Sequence, residues 1–336
     1  GLKEDILNQE MFTIIILMAL STSIMAPPAL RWTLKKVEPD ENELKRLKLE
    51  EIFSKSLFAG VKRVLLPVRF REGSGLLVQS IEAHILDRLK AGTDMSVTLM
   101  CVTAPGNEVK GNEFLSRIEK VFGEKNIKKK SVGGNDALKL ILEEAGKDYD
   151  LLILGAPQIR DDHEMLFSPI IDQMVRSSPC PTMVVQGHIQ DPDWNPERIL
   201  VPTNGAAAGK IAAEVAFAIA SEEKDDVVTI LNIVKEYPDD WMMQTGIKWG
   251  RRFVSARQIV SELRNMGEAL GVNTRSLIKG SEDVVRSILQ ATRDEEIDLV
   301  IIGTDIRPGS QGLFLGPTVE RILRQSECPV IVVNAS

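Results

Sequence analysis

The residues with the most chemical content lie in one stretch near the C-terminus, GTDIRPGSQGLFLGPTVERIL over residues 303–323. Gly309, Gly312 and Gly316 permit positive φ and leave backbone N–H groups free to face an anion. Pro317 stands at the favoured first position of a helix, whose N-terminus carries a partial positive charge, and Arg307 adds a formal one beside it. Phosphate groups are the natural occupants of such a loop, and a tight structural turn is the plain alternative. A companion segment, Pro202-Thr203-Asn204-Gly205, follows an apolar strand. In open α/β sheets ligands lie outside the carboxyl ends of strands where the strand order reverses. With the first and fourth strands as central neighbours, the two segments face each other across that crevice, and Asn204 is placed to bond ribose hydroxyls or a base edge.

Other chemistries find little support. His84, His163 and His188 stand in unrelated contexts, without partners at metal-ligand or triad spacing. Asp161-Asp162-His163 reads as an exposed loop, so no metal is expected. There is no G-x-x-x-x-G-K-[ST] phosphate engine, and the expectation is a protein that is not an enzyme. A formal net charge of −7 argues against a nucleic-acid partner. Cys101, Cys180 and Cys328 are too few for a disulfide scaffold and suit a reducing compartment.

The elements that must position these segments repeat. VKRVLLPV (61–68) matches PERILVPT (196–203), YDLLILGAPQ (149–158) matches IDLVIIGTDI (297–306), and FSPIIDQMVRSSPCPTMVV (167–185) matches LGPTVERILRQSECPVIVV (315–333). The last pair shares Pro169/Pro317, Arg176/Arg324, Cys180/Cys328 and Pro181/Pro329. The order is constant while the spacing shifts, so one domain is duplicated, with an insertion expected at 235–250 of the second copy. Each copy alternates short apolar runs with amphipathic stretches, the pattern of β-α units on a parallel sheet. In the second copy strands are expected at 198–203, 227–234, 272–278, 298–303 and 329–333, with helices near 207–221, 249–269, 282–293 and 317–326.

The front of the chain differs. Residues 11–30 carry no charge, and at about 1.5 Å per residue they span roughly 30 Å, the thickness of a bilayer core. Pro27-Pro28 is expected to end this helix and Trp32 to anchor it at the interface. Arg31, Lys35 and Lys36 follow the span while Glu4, Asp5 and Glu10 precede it, which places residues after about 32 in the cytoplasm. Residues 37–60 read as a charged linker helix. The chain begins with Gly, and the expectation is the tail of a longer polypeptide. The organisation expected is a terminal transmembrane helix with its flanks (1–36), the linker (37–60), a first domain (61–186), a connector (187–197) and a second domain (198–336).

The strand RILVPTNG, the strand DLVIIGT and the ending GLFLGPTVERILRQSECPVIVV resemble universal stress protein (UspA-like) domains over about residues 61–335. The resemblance implies α/β domains, each a Rossmann-like five-stranded parallel sheet of order 3-2-1-4-5, paired into an internal pseudo-dimer that sets 181–186 near 329–333, with homodimers as a further association. It also implies ATP or another adenine nucleotide as ligand, through a G-x2-G-x9-G-[ST] loop. Gly303 and Gly316 match its first and third glycines, and the residues implied to hold nucleotide are Pro202, Thr203, Asn204, Gly205, Val234, Gly303, Arg307, Gly309, Gly316, Pro317, Thr318 and Val319. Ile306 replaces the middle glycine, Pro317 the small hydroxyl residue and Asn204 the usual acid. In the first copy Arg69, Gln158 and Ser168 stand at the corresponding places, which reads as a degenerate, structural half.

The segment NQEMFTIIILMALSTSIMAPPALRW resembles the last transmembrane helix of bacterial monovalent cation/proton antiporters of the sodium/hydrogen-exchanger type. It implies a regulatory tail at the inner membrane, with bilayer lipid and the antiporter's other helices as partners. A singly anchored nucleotide-sensing module is the alternative, and a nucleotide hydrolase ranks last.

Overall fold

A computed structural model describes residues 9–34, 60–70, 81–90, 94–120, 126–157, 166–187, 194–220, 225–236, 245–304, 307–308 and 313–334. It divides into two units, Gly1–Glu51 and Ile52–Ser336.

The first unit contains helix α1 (Gln9–Leu34). Its large apolar side chains between Met11 and Met25 are exposed. The Ser21 and Thr22 hydroxyls donate back to the Met18 carbonyl at 3.0 and 2.9 Å, which lets them sit in an apolar helix without stranded polar groups. One expectation is corrected. The helix does not stop at Pro27-Pro28 but continues to Leu34: a proline gives up one i→i−4 bond, yet its fixed φ of about −65° is itself helical. Among the described residues no helix is long and apolar enough to cross a membrane. The expected linker helix at 37–60 lies almost wholly outside the described residues.

The second unit is built on β1 (Arg63–Pro67), α2 (Ile81–Lys90), β2 (Ser96–Thr103), α3 (Glu108–Glu119), β3 (Ile127–Gly133), α4 (Ala137–Ala145), β4 (Leu151–Ala156), α5 (Pro169–Ser177) and β5 (Thr182–Gln186). The plan then repeats as β6 (Arg198–Pro202), α6 (Ala207–Ala220), β7 (Val227–Lys235), α7 (Thr245–Ala269), β8 (Asn273–Ser281), α8 (Val284–Asp294), β9 (Leu299–Gly303), the hairpin β10 (Arg307–Pro308) and β11 (Leu313–Phe314), α9 (Pro317–Gln325) and β12 (Val330–Asn334). The strands and helices expected in the second copy are all present. The longer second copy shows its extra length in α7, of 25 residues against 12 in α3.

Apart from the small antiparallel β10–β11 hairpin, all pairings within a copy are parallel, and each copy has the order 3-2-1-4-5. The two sheets then join through an antiparallel β5–β12 pair, with Val330 opposite Gln186, Val332 opposite Val184 and Asn334 opposite Thr182. The result is one ten-stranded sheet. Strand residues alternate cleanly between two cores because successive side chains point to opposite faces. Val64, Ile153, Ile199 and Ile301 pack under α2, α3, α6 and α7. Leu65, Leu152, Leu200 and Val300 pack under α4, α5, α8 and α9. With both faces covered, the inner strands read as largely apolar runs, whereas the edge strands β3 (IKKKSVG) and β8 (NTRSLIKGS) stay polar.

The copies repeat their polar fixings as well. Asp136 and Asp283 cap α4 and α8, accepting from the backbone N–H of Lys139 and Arg286, the local reason those helices start where they do. Asp150 accepts from the N–H groups of Lys62 and Arg63, and Asp298 from those of Glu197 and Arg198, so each pins the start of a first strand to that of a fourth. Burial pushes the Asp298 carboxyl up to about 6, against the pull of those N–H donors. The native state therefore holds this proton more tightly than the unfolded chain, whose Asp titrates at about 3.9. The Asp298 contribution to stability falls as pH rises from about 4 to about 6. Urea midpoints of parent and Asp298→Asn across pH 4–7 are expected to converge toward the acid end of that window for this reason; parallel curves would reject the assignment.

The first copy adds a network of opposite sign. Burial works to raise the Glu144 carboxyl, but hydrogen bonds from Lys130 and Lys147 and from the Tyr149 hydroxyl hold it below its ordinary value. The stability it supplies is present above the unfolded carboxylate range and is lost as pH falls from that range through the depressed native value. Glu144→Gln is expected to lower the urea midpoint at pH 7 and to lower it progressively less as the solution is acidified.

Candidate functional site

In the second copy β6 and β9 are central neighbours, with Ile199 opposite Leu299 and Leu200 opposite Val300. From β6 the chain runs outward to β7 and β8, then returns on the other side to β9 and β12, so the strand order reverses between β6 and β9. A cleft of about 500 Å³ opens at their carboxyl ends. That volume is in the range of sites for small organic ligands. One rim is Pro202, Thr203 and Asn204; the other is Gly303 and Thr304 with Leu315, Gly316, Pro317, Thr318 and Val319. The wall between is aliphatic, including Leu231 and Ile233 of β7 and Val284 and Ile288 of α8.

Most of the residues singled out in the sequence therefore converge on one place, and the exceptions are instructive. Gly205 does not line the cleft; its φ of +86° makes the turn into α6. Val234 does not line it either and is buried. The neighbouring Leu231 and Ile233 face the cleft, because positions of odd and even spacing on a strand lie on opposite faces. Arg307 lies in β10, paired opposite Phe314, with its side chain outside the described residues, as is Gly309 altogether.

The positive ends of three helices border the cleft. Ala206, Ala208 and Gly209 belong to the start of α6, Val284 to the start of α8, and Gly316 to Val319 to the start of α9. Asp283 caps α8. The N-cap of α9 is Gly316, at φ 88° and ψ 147°, without a side-chain cap. Its first-turn N–H groups have no partner within the helix by construction, so this end offers donors and partial positive charge to an anion. Asn204 is constrained in another way. Its Oδ1 accepts from Ala206 N–H at 3.0 Å, leaving the amide N–H groups as the functional edge.

Two features were not legible as site residues. The Thr304 hydroxyl donates to the Leu315 carbonyl at 3.1 Å, tying the end of β9 to the approach of α9. Asn232 donates to the Thr203 carbonyl at 2.8 Å, holding the opposite rim against β7. Both are ordinary polar residues in strand context, and only their tertiary partners distinguish them. Gly303 acquires a different role from the one implied: a Cβ there would stand 1.7 Å from the Ala208 carbonyl oxygen. Its glycine is required by the contact of α6 with β9 before any ligand is considered.

The first copy shares the apolar wall and differs at its rim. By the repeat, Met100, Phe167 and Met174 stand where the second copy has Leu231, Leu315 and Ile322, and all six are buried in one cluster. Ser168 replaces Gly316 and caps α5 itself, accepting from the Ile171 N–H at 3.5 Å. The Glu82 carboxylate lies against Gly155, the counterpart of Gly303, about where a Cβ would reach. A negative charge at that position opposes an anionic ligand.

Among the described residues no three His, Cys, Asp or Glu side chains gather as a metal site would need. Burial raises the thiols of Cys101, Cys180 and Cys328, which keeps them protonated and unreactive near neutral pH.

The family model described as "Universal stress protein family" matches residues 61–186 and 196–334. A universal stress protein of Mycobacterium tuberculosis strain H37Rv is 25% identical over 201 residues, which are 58% of this chain and 65% of that protein. The chain thus spans about two thirds of the length of this relative. A universal stress protein of Methanocaldococcus jannaschii is 26% identical over 145 residues, 41% of this chain and 82% of the relative. Among solved structures, a universal stress protein from Archaeoglobus fulgidus superposes with a TM-score of 0.56 at 16% identity, covering 82% of this chain and 98% of its own. A second, from Pseudomonas aeruginosa, gives 0.54 at 17% identity, covering 83% and 95%. At such identities these two likenesses speak to the fold.

Proposed function

The chain belongs to the universal stress protein family, and from that footing we propose that its second copy is a non-catalytic sensor of an adenine nucleotide, ATP or a relative. The observation that carries this reading is the cleft at the β6–β9 reversal, where an aliphatic wall meets the uncapped start of α9. The wall suits a flat base and the helix start suits a phosphate. The first copy, with Ser168 capping α5 and Glu82 beside Gly155, acts as a structural partner to the second.

A ligand that binds only the native state raises its stability, by about 2.7 kcal/mol at a hundredfold excess over Kd. Thermal unfolding of the full chain against AMP, ADP, ATP and inorganic phosphate is expected to show a rise with the nucleotides beyond that with phosphate. A flat panel would sink the reading. Release of phosphate from ATP during the same incubation would favour a hydrolase instead.

Helix α1, with its apolar side chains exposed between Met11 and Met25, supports attachment to a membrane. The fuller proposal is that this chain is the regulatory tail of a bacterial monovalent cation/proton antiporter, packed beside the antiporter's other helices and lipid, with residues after about 32 on the cytoplasmic side of the inner membrane. Nucleotide binding biases transport only by the difference in its affinity for the transporter's states. The competing proposal is an anchored sensor without transport. Protease protection in oriented vesicles tests the side, and the number of apolar spans encoded upstream separates tail from stand-alone module.

A further inference from the structure

The two copies meet at the antiparallel β5–β12 pair, and on one face of that seam α2 packs against α6. At the edge of this packing Arg88 of α2 forms an ion pair with Asp226, the residue before β7 of the second copy. Both side chains are withdrawn from water, at 12% and 2% exposure. The register pairs Arg63↔Ser96 and Arg198↔Val227 define which residues of the two copies correspond. By that correspondence the counterpart of Asp226 is Met95, and the same offset carried back into the preceding helix sets Ile219 level with Arg88, or the neighbouring Ala218 when the helix ends are aligned, both of them apolar. Met95 and Ile219 are both buried members of the shared core. One side of the pseudo-twofold axis is therefore charged where the other is apolar.

Stability alone does not account for that asymmetry. Apolar residues already fill the symmetry-related positions, and replacing a buried ion pair by apolar groups of similar volume is commonly neutral or stabilising. What the pair does supply is a choice of partner. Two first copies brought together along β5 would each set Arg88 against a Met95. Two second copies joined along β12 would each set Asp226 against an Ile219. Either arrangement strands a charge in the interior, which is strongly unfavourable, whereas a first copy meeting a second satisfies both groups. Discrimination of this kind works by penalising the wrong pairing as much as by favouring the right one.

We propose that the Arg88–Asp226 pair makes this seam selective for a first copy against a second, so that the halves of the chain do not associate with like halves of another chain. The full-length protein in detergent is unfolded in urea and refolded at high concentration, with the urea midpoint and the mass of the assembly read by light scattering. Arg88→Ile and Asp226→Met, taken singly, each lower the midpoint, because each strands the remaining charge. The double variant, which installs the apolar residue types of the symmetry-related positions, recovers the parent midpoint but refolds with a new population of larger assemblies, while the parent returns to the assembly it started from. A double variant that also returns only to the parent assembly overturns the proposal, and so does one that is unfolded or no more stable than the singles.

Discussion

Gly303→Ala is expected to destabilise the second unit by about 3 kcal/mol, near the upper end of what overpacking a tight interior usually costs. The added methyl carbon would stand 1.7 Å from the Ala208 carbonyl oxygen, 2.1 Å from its carbon and 2.9 Å from the Gly209 nitrogen. All three are backbone atoms at the start of α6, so no side chain can rotate to make room. Relief requires α6 to move away from β9. That helix is buried along most of its length, with Ala212, Ala213, Ala216 and Phe217 at or below 1% exposure, and its displacement would open the core on that face of the sheet. The check is a urea titration with and without nucleotide. A midpoint equal to the parent's would mean that the contact is absent. At the counterpart Gly155 the nearest atoms belong to the Glu82 side chain, which can swing aside, so Gly155→Ala is expected to cost much less.

Gly316→Val is expected to act in the opposite sense, on binding more than on packing. A Cβ at Gly316 would meet nothing within 4 Å, so there is room for it in the empty protein. The backbone is the obstacle, since φ 88° with ψ 147° is a region that side chains rarely adopt and whose occupation costs on the order of 1–3 kcal/mol. The strained residue relaxes by turning its peptide planes, and those planes orient the N–H groups at the start of α9. The valine methyls also project into the cleft that Gly316 borders. Calorimetric affinity for an adenine nucleotide is expected to fall by about tenfold or more, equivalent to about 1.4 kcal/mol. An unchanged affinity in a folded variant would place the anion elsewhere in the cleft, while the Gly303 prediction would stand.

These two glycines show how far the sequence carries the site. Both were marked by one glycine spacing, and the spacing treats them alike. In the fold Gly303 is a packing residue under α6 and Gly316 is an open helix cap. The Pro202–Asn204 and Gly316–Val319 segments come to one crevice on the premise that the first and fourth strands are central neighbours, which the family resemblance implies and apolar runs alone do not. Val234 lies off the cleft for a smaller reason: a strand is legible as a run of apolar residues, but which alternate set faces the cleft depends on which helices cover which side. Leu231 and Ile233 take that face here. Thr304 and Asn232 were missed because a hydroxyl or amide acquires meaning only from a partner distant along the chain.

At the level of the fold the same division holds. The repeat, the alternation of apolar runs with amphipathic stretches, and the helix-starting Pro317 are local in the chain, so they could be read directly and the strand and helix positions of the second copy followed. The extent of α1 past Pro27-Pro28 could not be, because a double proline reads as a stop when its cost is weighed residue by residue. Composition and periodicity by themselves determined that this is a duplicated parallel α/β protein with a glycine-rich loop after its fourth strand, since those patterns reflect burial and backbone freedom, which act over a few residues. The family resemblance sets 181–186 near 329–333, but only the tertiary structure decided that this contact is an antiparallel β5–β12 pair fusing the copies into one sheet, that Arg88 meets Asp226 across the seam, and that Ser168 caps α5 where Gly316 leaves α9 without a side-chain cap. The first two of these depend on contacts between residues far apart in the chain, where side-chain volume and unpaired charge are weighed against each other in three dimensions.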